Sequence, residues 1–288
     1  MKIYPECYNC FITQAIRSSK IHSKNKEESL KVVRNVVRIL TDIDHSLPPP
    51  IISEDVYKTI QETLGIADPY KEIKKKYNDI ALDYCDFAYA RIRNAEDKLL
   101  CALKLSLAGN IIDFGGEQDS FSIEETINDT IHSGFHVNEI DKFKSDLKKA
   151  NSLILLADNA GEAVFDKILL ETIKEMYPTL DIYVFVRGGN IINDITIEEA
   201  KYIGLDSIAN IIESPKAIPG FWPEFCDGEC EDIWKSADLV ISKGQGNFET
   251  LSEISDKRIY FLFIVKCRVV AEFLKLKKFS KIFMQNRF

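Results

Sequence analysis

Three residues near apolar strand-like runs carry hard oxygen donors: Asp158 and Asn159 in LILLADNAGE (153–162), and Asp194 in VFVRGGNIIND (184–194). A divalent ion such as Mg²⁺ prefers oxygen ligands, keeps several waters and leaves positions for a substrate phosphate. Two carboxylates and one amide bring such a site near neutrality once a dication binds, so a phosphate can approach it. Helix capping accounts equally well for Asp158 or Asn159 taken singly, because Asp and Asn favour that position. Capping is less convincing for Asp194. Thr196 followed by Glu199 already forms a capping box for IEEAKYIG, which frees Asp194 for other work.

Two lysines stand at the ends of apolar runs. Lys243, in LVISKGQGNFE (239–249), is followed by Gly244, Gln245, Gly246 and Asn247, which resembles a phosphate cradle of point charge and open backbone N–H groups. A plain turn is the competing account. Lys266 closes YFLFIVK, where it either snorkels to the surface or serves a site. Glu162 lies four residues beyond Asp158, in a first helical turn where negative charge also suits the helix dipole. Asn110 and Asp113, three apart on an otherwise apolar helix, share one face and either mark the helix end or line a cleft.

The remaining candidates are weaker. His22, His45, His132 and His136 lie in polar stretches, and the His132/His136 pair lacks the glutamate of a zincin. No G-x-S-x-G occurs, and G-x-G-x-x-G fails at Glu249, which disfavours a serine hydrolase and a dinucleotide site. Of seven cysteines, Cys7/Cys10 and Cys226/Cys230 form spaced pairs, read as thiols or metal ligands rather than bridges. The second spacing is unusual for a zinc knuckle.

Residues 1–125 read as an all-helical domain. A helix begins near Glu6. Leu30, Val33, Val36, Val37 and Leu40 make a helical stripe. Pro48–Pro50 breaks the chain, Ser53 caps a helix ending at Gly65, and Asp97–Asp113 is strongly apolar. Residues 126–288 alternate short apolar runs with helical patterns. The runs are 153–157, 182–186, 207–212, 239–242 and 259–265. This pattern predicts a doubly wound α/β region with a mostly parallel sheet covered on both faces. If the strands before Asp158, Asp194 and Lys243 lie side by side, their turns open on one edge, where ligands bind in such sheets. The basic tail, KLKKFSKIFMQNRF, reads as a solvated helix or frayed end.

The chain has 288 residues, 45% hydrophobic, with formal net charge -8. Such a balance argues against a general nucleic-acid binder. No apolar run approaches a membrane span, and the first ten residues lack a signal-peptide core, so a cytoplasmic protein is expected.

Taken together, PECYNCF (5–11), LAGNIIDFG (107–115), LLADNAGE (155–162), the N-D-x-T of 193–196, ISKGQGNFE (241–249) and FIVKC (263–267) resemble the metal-dependent damage-control phosphatases. That family is also known as domain-of-unknown-function family eighty-nine. The C-x-x-C and the KGQGNFE form look like its prokaryotic branch. The resemblance implies a helical N-terminal domain on a three-layer Rossmann-like sheet, and hydrolysis of phosphate monoesters, often sugar phosphates. It implies a divalent ion (Mg, Mn, Co or Ni) on Asp158, Asn159 and Asp194, and phosphate contacts from Lys266 and from residues 245–249. The attacking group is left open between an activated water and Asp158. The closing apolar strand expected at the C-terminus is replaced by the basic tail. Two other readings stand beside it: an adenosylmethionine-dependent carboxyl methyltransferase, and a non-catalytic sugar-phosphate-binding protein.

Overall fold

The computed structural model describes residues 1–115 and 123–288. Helices come first: α1 (Pro5–His22), α2 (Lys26–Ile39), α3 (Pro49–Leu64), α4 (Lys71–Asp83), α5 (Cys85–Arg93), α6 (Lys98–Gly115) and α7 (Ile123–His132). A short strand β1 (Val137–Asn138) and α8 (Ile140–Leu147) follow. Strands and helices then alternate: β2 (Ser152–Leu156), α9 (Glu162–Met176), β3 (Asp181–Val186), α10 (Ile197–Tyr202), β4 (Asn210–Glu213), α11 (Gly228–Ser236), β5 (Leu239–Lys243), α12 (Gly244–Leu251), β6 (Ile259–Ile264), α13 (Arg268–Leu274) and β7 (Lys281–Gln285). Among the described residues no helix is long and apolar enough to cross a membrane.

Among the described residues seven strands form one sheet, in the order β1-β7-β6-β5-β2-β3-β4. Strands β2 to β6 pair in parallel, and β7 runs antiparallel to β6. From β2 the chain winds outward through β3 and β4, then returns to place β5 on the other flank. The switch point therefore lies between β2 and β5, where a crevice opens outside the carboxyl ends. The turns after β3, β2 and β5 stand side by side there.

The strands read as continuous apolar runs because both faces are covered. Leu153 and Leu155 point into a core shared with α6 and α9. Ile154 and Leu156 point the other way, into a core with Trp234 of α11, Phe248 of α12 and Val270 of α13. The result is three layers, helix–sheet–helix. Helices α1 to α3 close a separate cluster around Phe11, Val32, Val36 and Ile60, joined by Ile191 from the loop after β3. Helix α6 belongs instead to the sheet's core, with Leu99, Leu103 and Leu107 buried in it.

Several local expectations are corrected. The triple proline starts α3 rather than interrupting the chain, with Pro49 in the first turn, where a missing N–H costs nothing. Ser53 accordingly lies inside α3 and donates back to the Pro49 carbonyl. On α2, Val32 and Val36 are buried while Leu30 and Val37 face solvent, because the helix turns its i, i+4 row toward α1 and α3. The basic tail forms β7, with Ile282, Phe283 and Met284 buried. Its lysines cluster before the strand, and the apolar triplet within is long enough to pair with β6. Cys226 and Cys230 are paired as a disulfide with a Cα–Cα distance of 5.4 Å, not held as thiols or metal ligands. Their separation of four residues, from the end of a short turn into the start of α11, brings them together.

Candidate active site

A cavity of about 690 Å³ opens between α1, α3 and α4 on one side and the carboxyl edge of the sheet on the other. Asp158, Asn159, Asp194, Gln245, Gly246 and Lys266 line its sheet side. The oxygen donors from two separate turns thus meet at one end of one cleft.

Backbone pairing locks the two turns together. Asn159 and Asp194 form an isolated antiparallel bridge. The Ile195 N–H donates to the Asp158 carbonyl at 2.9 Å, and the Ala160 N–H to the Asn193 carbonyl at 2.9 Å. The pairing brings the backbones of Asp158 and Asp194 side by side whatever their separation in sequence. Thr196 and Glu199 form the expected capping box on α10, and Asp194 takes no part in it.

The side chains make a buried charged network. Arg187, at the end of β3, donates Nε to Asp194 at 2.7 Å and an Nη to Asp158 at 3.3 Å. Its other Nη reaches Asn247 Oδ1 at 3.2 Å. Asn159 Nδ2 donates to Asp158 at 2.8 Å and to Glu162 at 3.2 Å. Asn110 Nδ2 reaches Glu162 at 2.6 Å and Asp158 at 3.3 Å. Burial first, then Asp194 and Glu162, push the Asp158 carboxyl up to about 8, while Lys266 and Arg187 oppose this. More carboxyl groups than cations are buried here: Asp158, Glu162, Asp166 and Asp194 against Arg187 and Lys243.

Gly244 makes the crowding possible. It has φ +77, and a Cβ there would lie 2.1 Å from the Asp158 carboxylate. Only glycine satisfies both the left-handed backbone and the close approach.

Lys243 lies elsewhere than expected of a phosphate holder. It is fully buried, and its amine is committed to Asp166 at 2.6 Å, Glu162 at 2.8 Å and the Ser106 hydroxyl at 2.6 Å. Burial alone lowers its pKa, yet Asp166 and Glu162 outweigh burial and hold the ammonium above its usual value. Glu162 is thereby fixed between Lys243 and the two asparagines and is 1% exposed. Asn247 is likewise buried, donating to the carbonyls of Lys243 at 2.7 Å and Ala157 at 3.2 Å. These residues and Asn110 sit behind the cleft wall. The side chain of Asp113 lies outside the described residues. Gln245 and Gly246 do line the cleft, with Gln245 Oε1 accepting the Lys266 N–H at 2.8 Å. The four histidines lie at half-buried or exposed positions away from the cleft lining.

Arg187 joins the site although it was not among the residues singled out above. Its signal matched that used for Lys243 and Lys266: a cation directly after a buried strand. Cys7, Cys10 and Cys267 also line the cavity, and burial pushes the Cys7 thiol up to about 11, so it is protonated near neutrality.

Among the described residues no three His, Cys, Asp or Glu side chains are grouped to hold a metal. The candidate set is instead two carboxylates and one amide. Asn159 spends its Nδ2 on Asp158 and Glu162, leaving Oδ1 as the atom for a cation. That oxygen-only chemistry and the excess of buried carboxyl groups over cations fit a hard divalent ion that keeps water and phosphate in its remaining positions.

The damage-control phosphatase ARMT1-like domain model matches residues 3–282. An uncharacterized protein of Methanocaldococcus jannaschii is 35% identical over 281 residues, covering 94% of this chain and 91% of its own. A damage-control phosphatase of Pyrococcus horikoshii is 30% identical over 289 residues, covering 100% of this chain and 99% of its own. The crystal structure of a DUF89 family protein from Pyrococcus horikoshii superposes with a TM-score of 0.91 at 30% identity, covering 100% of both chains.

Proposed function

We propose that this chain, which belongs to the damage-control phosphatase ARMT1-like family, is a metal-dependent phosphatase that hydrolyses phosphate monoesters, small sugar phosphates or related damaged metabolites. One observation carries the reading. Asp158, Asn159 and Asp194 converge from two turns at the sheet's switch point, and Lys266 faces the same cleft.

Asp158, Asn159 and Asp194 would hold the divalent ion. Bound there, it would polarise phosphoryl oxygens and offset the charge that grows in the transition state. The chain's own residues do the rest. Lys266 and the turn at Gln245 and Gly246 hold the remaining phosphoryl oxygens. Arg187 keeps both carboxylates in one orientation through its planar fork. Asn110 and Lys243 hold Glu162 and Asp158 from behind. The helical side of the cleft, with Tyr57, Tyr70 and Ile73, receives the alcohol portion of the ester.

The test is a screen of phosphate esters against Mg²⁺, Mn²⁺, Co²⁺ and Ni²⁺, with Asp194→Ala as control. Metal-dependent turnover should fall at least about a hundredfold in the variant, with the circular dichroism spectrum unchanged. Turnover equal to wild type would remove Asp194, and this site, from the reaction.

A further inference from the structure

The residues proposed to hold the ion all come from the second half of the chain, but two buried side chains of α4 reach across to the turns that carry them. Lys74 and Asn78 are both 0% exposed and sit four residues apart, hence on one helix face. Asn78 Oδ1 accepts the Gly161 N–H at 2.6 Å, at the end of the turn that carries Asp158 and Asn159. Gly161 has φ +77, and a Cβ on it would meet Tyr77 of the same helix at 3.0 Å. Helix and turn are therefore in direct contact.

Lys74 holds the other turn at both of its ends. Its Nζ donates to Asn190 Oδ1 at 3.0 Å, three residues after Arg187, and pairs with Glu199 at 2.8 Å. The second Glu199 oxygen accepts from the Thr196 N–H at 2.9 Å and hydroxyl at 2.6 Å, two residues after Asp194. Asp68 completes the lysine's partners at 2.8 Å, and Gln61 of α3 donates to the Asn190 carbonyl at 2.9 Å. A buried cation with two carboxylates is a poor device for stability, since a well-packed apolar replacement often does as well. It is a good device for fixing a geometry.

We propose that α4 is a two-pronged clamp: Asn78 sets the Asp158–Asn159 turn, Lys74 sets the Asp194 loop, and their fixed spacing sets the distance between the two carboxylates. Lys74 and Asn78 are positioning residues, acting through the backbone of the turns. The clamp rests on the reading of Asp158, Asn159 and Asp194 as ion ligands.

The experiment measures Mn²⁺ affinity by titration calorimetry, with metal-free melting temperature and steady-state kinetics on p-nitrophenyl phosphate beside it. The variants are Lys74→Met, Asn78→Leu and Asn78→Asp. Loss of either prong should weaken Mn²⁺ roughly ten- to hundredfold. The ester KM at saturating Mn²⁺ should move little, and kcat should recover in part. Asn78→Asp keeps the acceptor for the Gly161 N–H and should bind Mn²⁺ within about threefold of wild type, a split that a general loss of packing does not produce. If Lys74→Met does not fold, Gln61→Ala removes only the neighbouring bond to Asn190 and should shift Mn²⁺ affinity in the same direction by a smaller factor. Mn²⁺ binding by wild type with unchanged affinity in the leucine, methionine and Gln61 variants would overturn the clamp alone. So would an Asn78→Asp protein as weak as Asn78→Leu. No Mn²⁺ binding by wild type would overturn the ion site and the clamp with it.

Discussion

Gly244 concentrates the site's constraints in one residue. Gly244→Ala puts a methyl group into the Asp158 carboxylate and asks alanine to adopt φ +77. Backbone strain of that kind costs about 1–3 kcal/mol. Displacing Asp158 should cost far more in activity than in stability. The expected result is a folded protein, melting a few degrees lower, with metal-dependent turnover reduced at least about tenfold. Side-by-side calorimetry and kinetics check it; turnover at the wild-type level would mean Asp158 has room to spare. Glu249 offers a pH-dependent counterpart on the cleft wall. Burial pushes its carboxyl up to about 7, against the Gln245 amide and the N-terminal ammonium, which pull it down. The neutral acid is the form the fold prefers. Its contribution to stability is full below pH 4.5, the ordinary glutamate value, and is lost as pH rises through about 7. The side chain is only partly buried, so screening leaves about 1 kcal/mol of the effect, roughly 2–4 °C in Tm. Without metal, wild type should lose that much between pH 5 and 8 relative to Glu249→Gln. Parallel curves would place the titration elsewhere. At this scale the sequence pointed to Asp158, Asn159 and Lys266, because a polar residue at the end of an apolar run is visible in one dimension, and to Asp194 because Thr196 and Glu199 already account for the cap of α10. It could not assign Lys243 to the interior. That depends on Asp166, Glu162 and Ser106 arriving from α9 and α6, and no local pattern encodes their arrival.

Elements were legible where their periodicity was undiluted. Strands β2, β3, β5 and β6 are apolar on both faces and bounded by polar turns, so each could be placed within a residue or two. β1 and β7 could not. β1 is two residues long, and β7 follows a lysine-rich stretch that outweighs its short apolar centre. The proline run misled for a different reason: proline ends a helix from inside but opens one at its first turn. The two views of the tail differ in a measurable way. Phe283 is fully buried and packs edge-on against Phe143 with ring centroids 5.3 Å apart. Phe283→Ala should therefore lower unfolding free energy by about 3–5 kcal/mol, read as a shift of the urea midpoint at constant slope. A solvated tail predicts no shift.

For the molecule as a whole, the joint between the helical first half and the sheet decides how the site is built. The cleft has one wall from each, and α4 and α6 cross between them in different ways. α4 touches the turns through Lys74 and Asn78. α6 enters the sheet's core, where Leu99, Leu103, Leu105 and Leu107 are buried alongside Leu155 and Leu169. It also delivers Ser106 to Lys243 and Asn110 to Glu162. Residues 126–288 expressed alone would expose that core face. They would also leave the Lys243–Asp166–Glu162 group without its Ser106 partner, and a hydrogen bond to a charged group contributes about 1.5–3 kcal/mol. Native domains hold only about 5–15 kcal/mol in reserve. The missing leucines of α6, at about 1.5–3 kcal/mol each, add to the lost contact and together match that reserve. The 126–288 fragment should therefore show no cooperative thermal transition and no protected amide hydrogens in β2 or β5. A fragment beginning at Lys98 restores α6 and should recover a cooperative transition, while remaining without the clamp from α4. If the shorter fragment melts cooperatively, the sheet does not need α6, and the site's two walls are joined more loosely than their shared core implies.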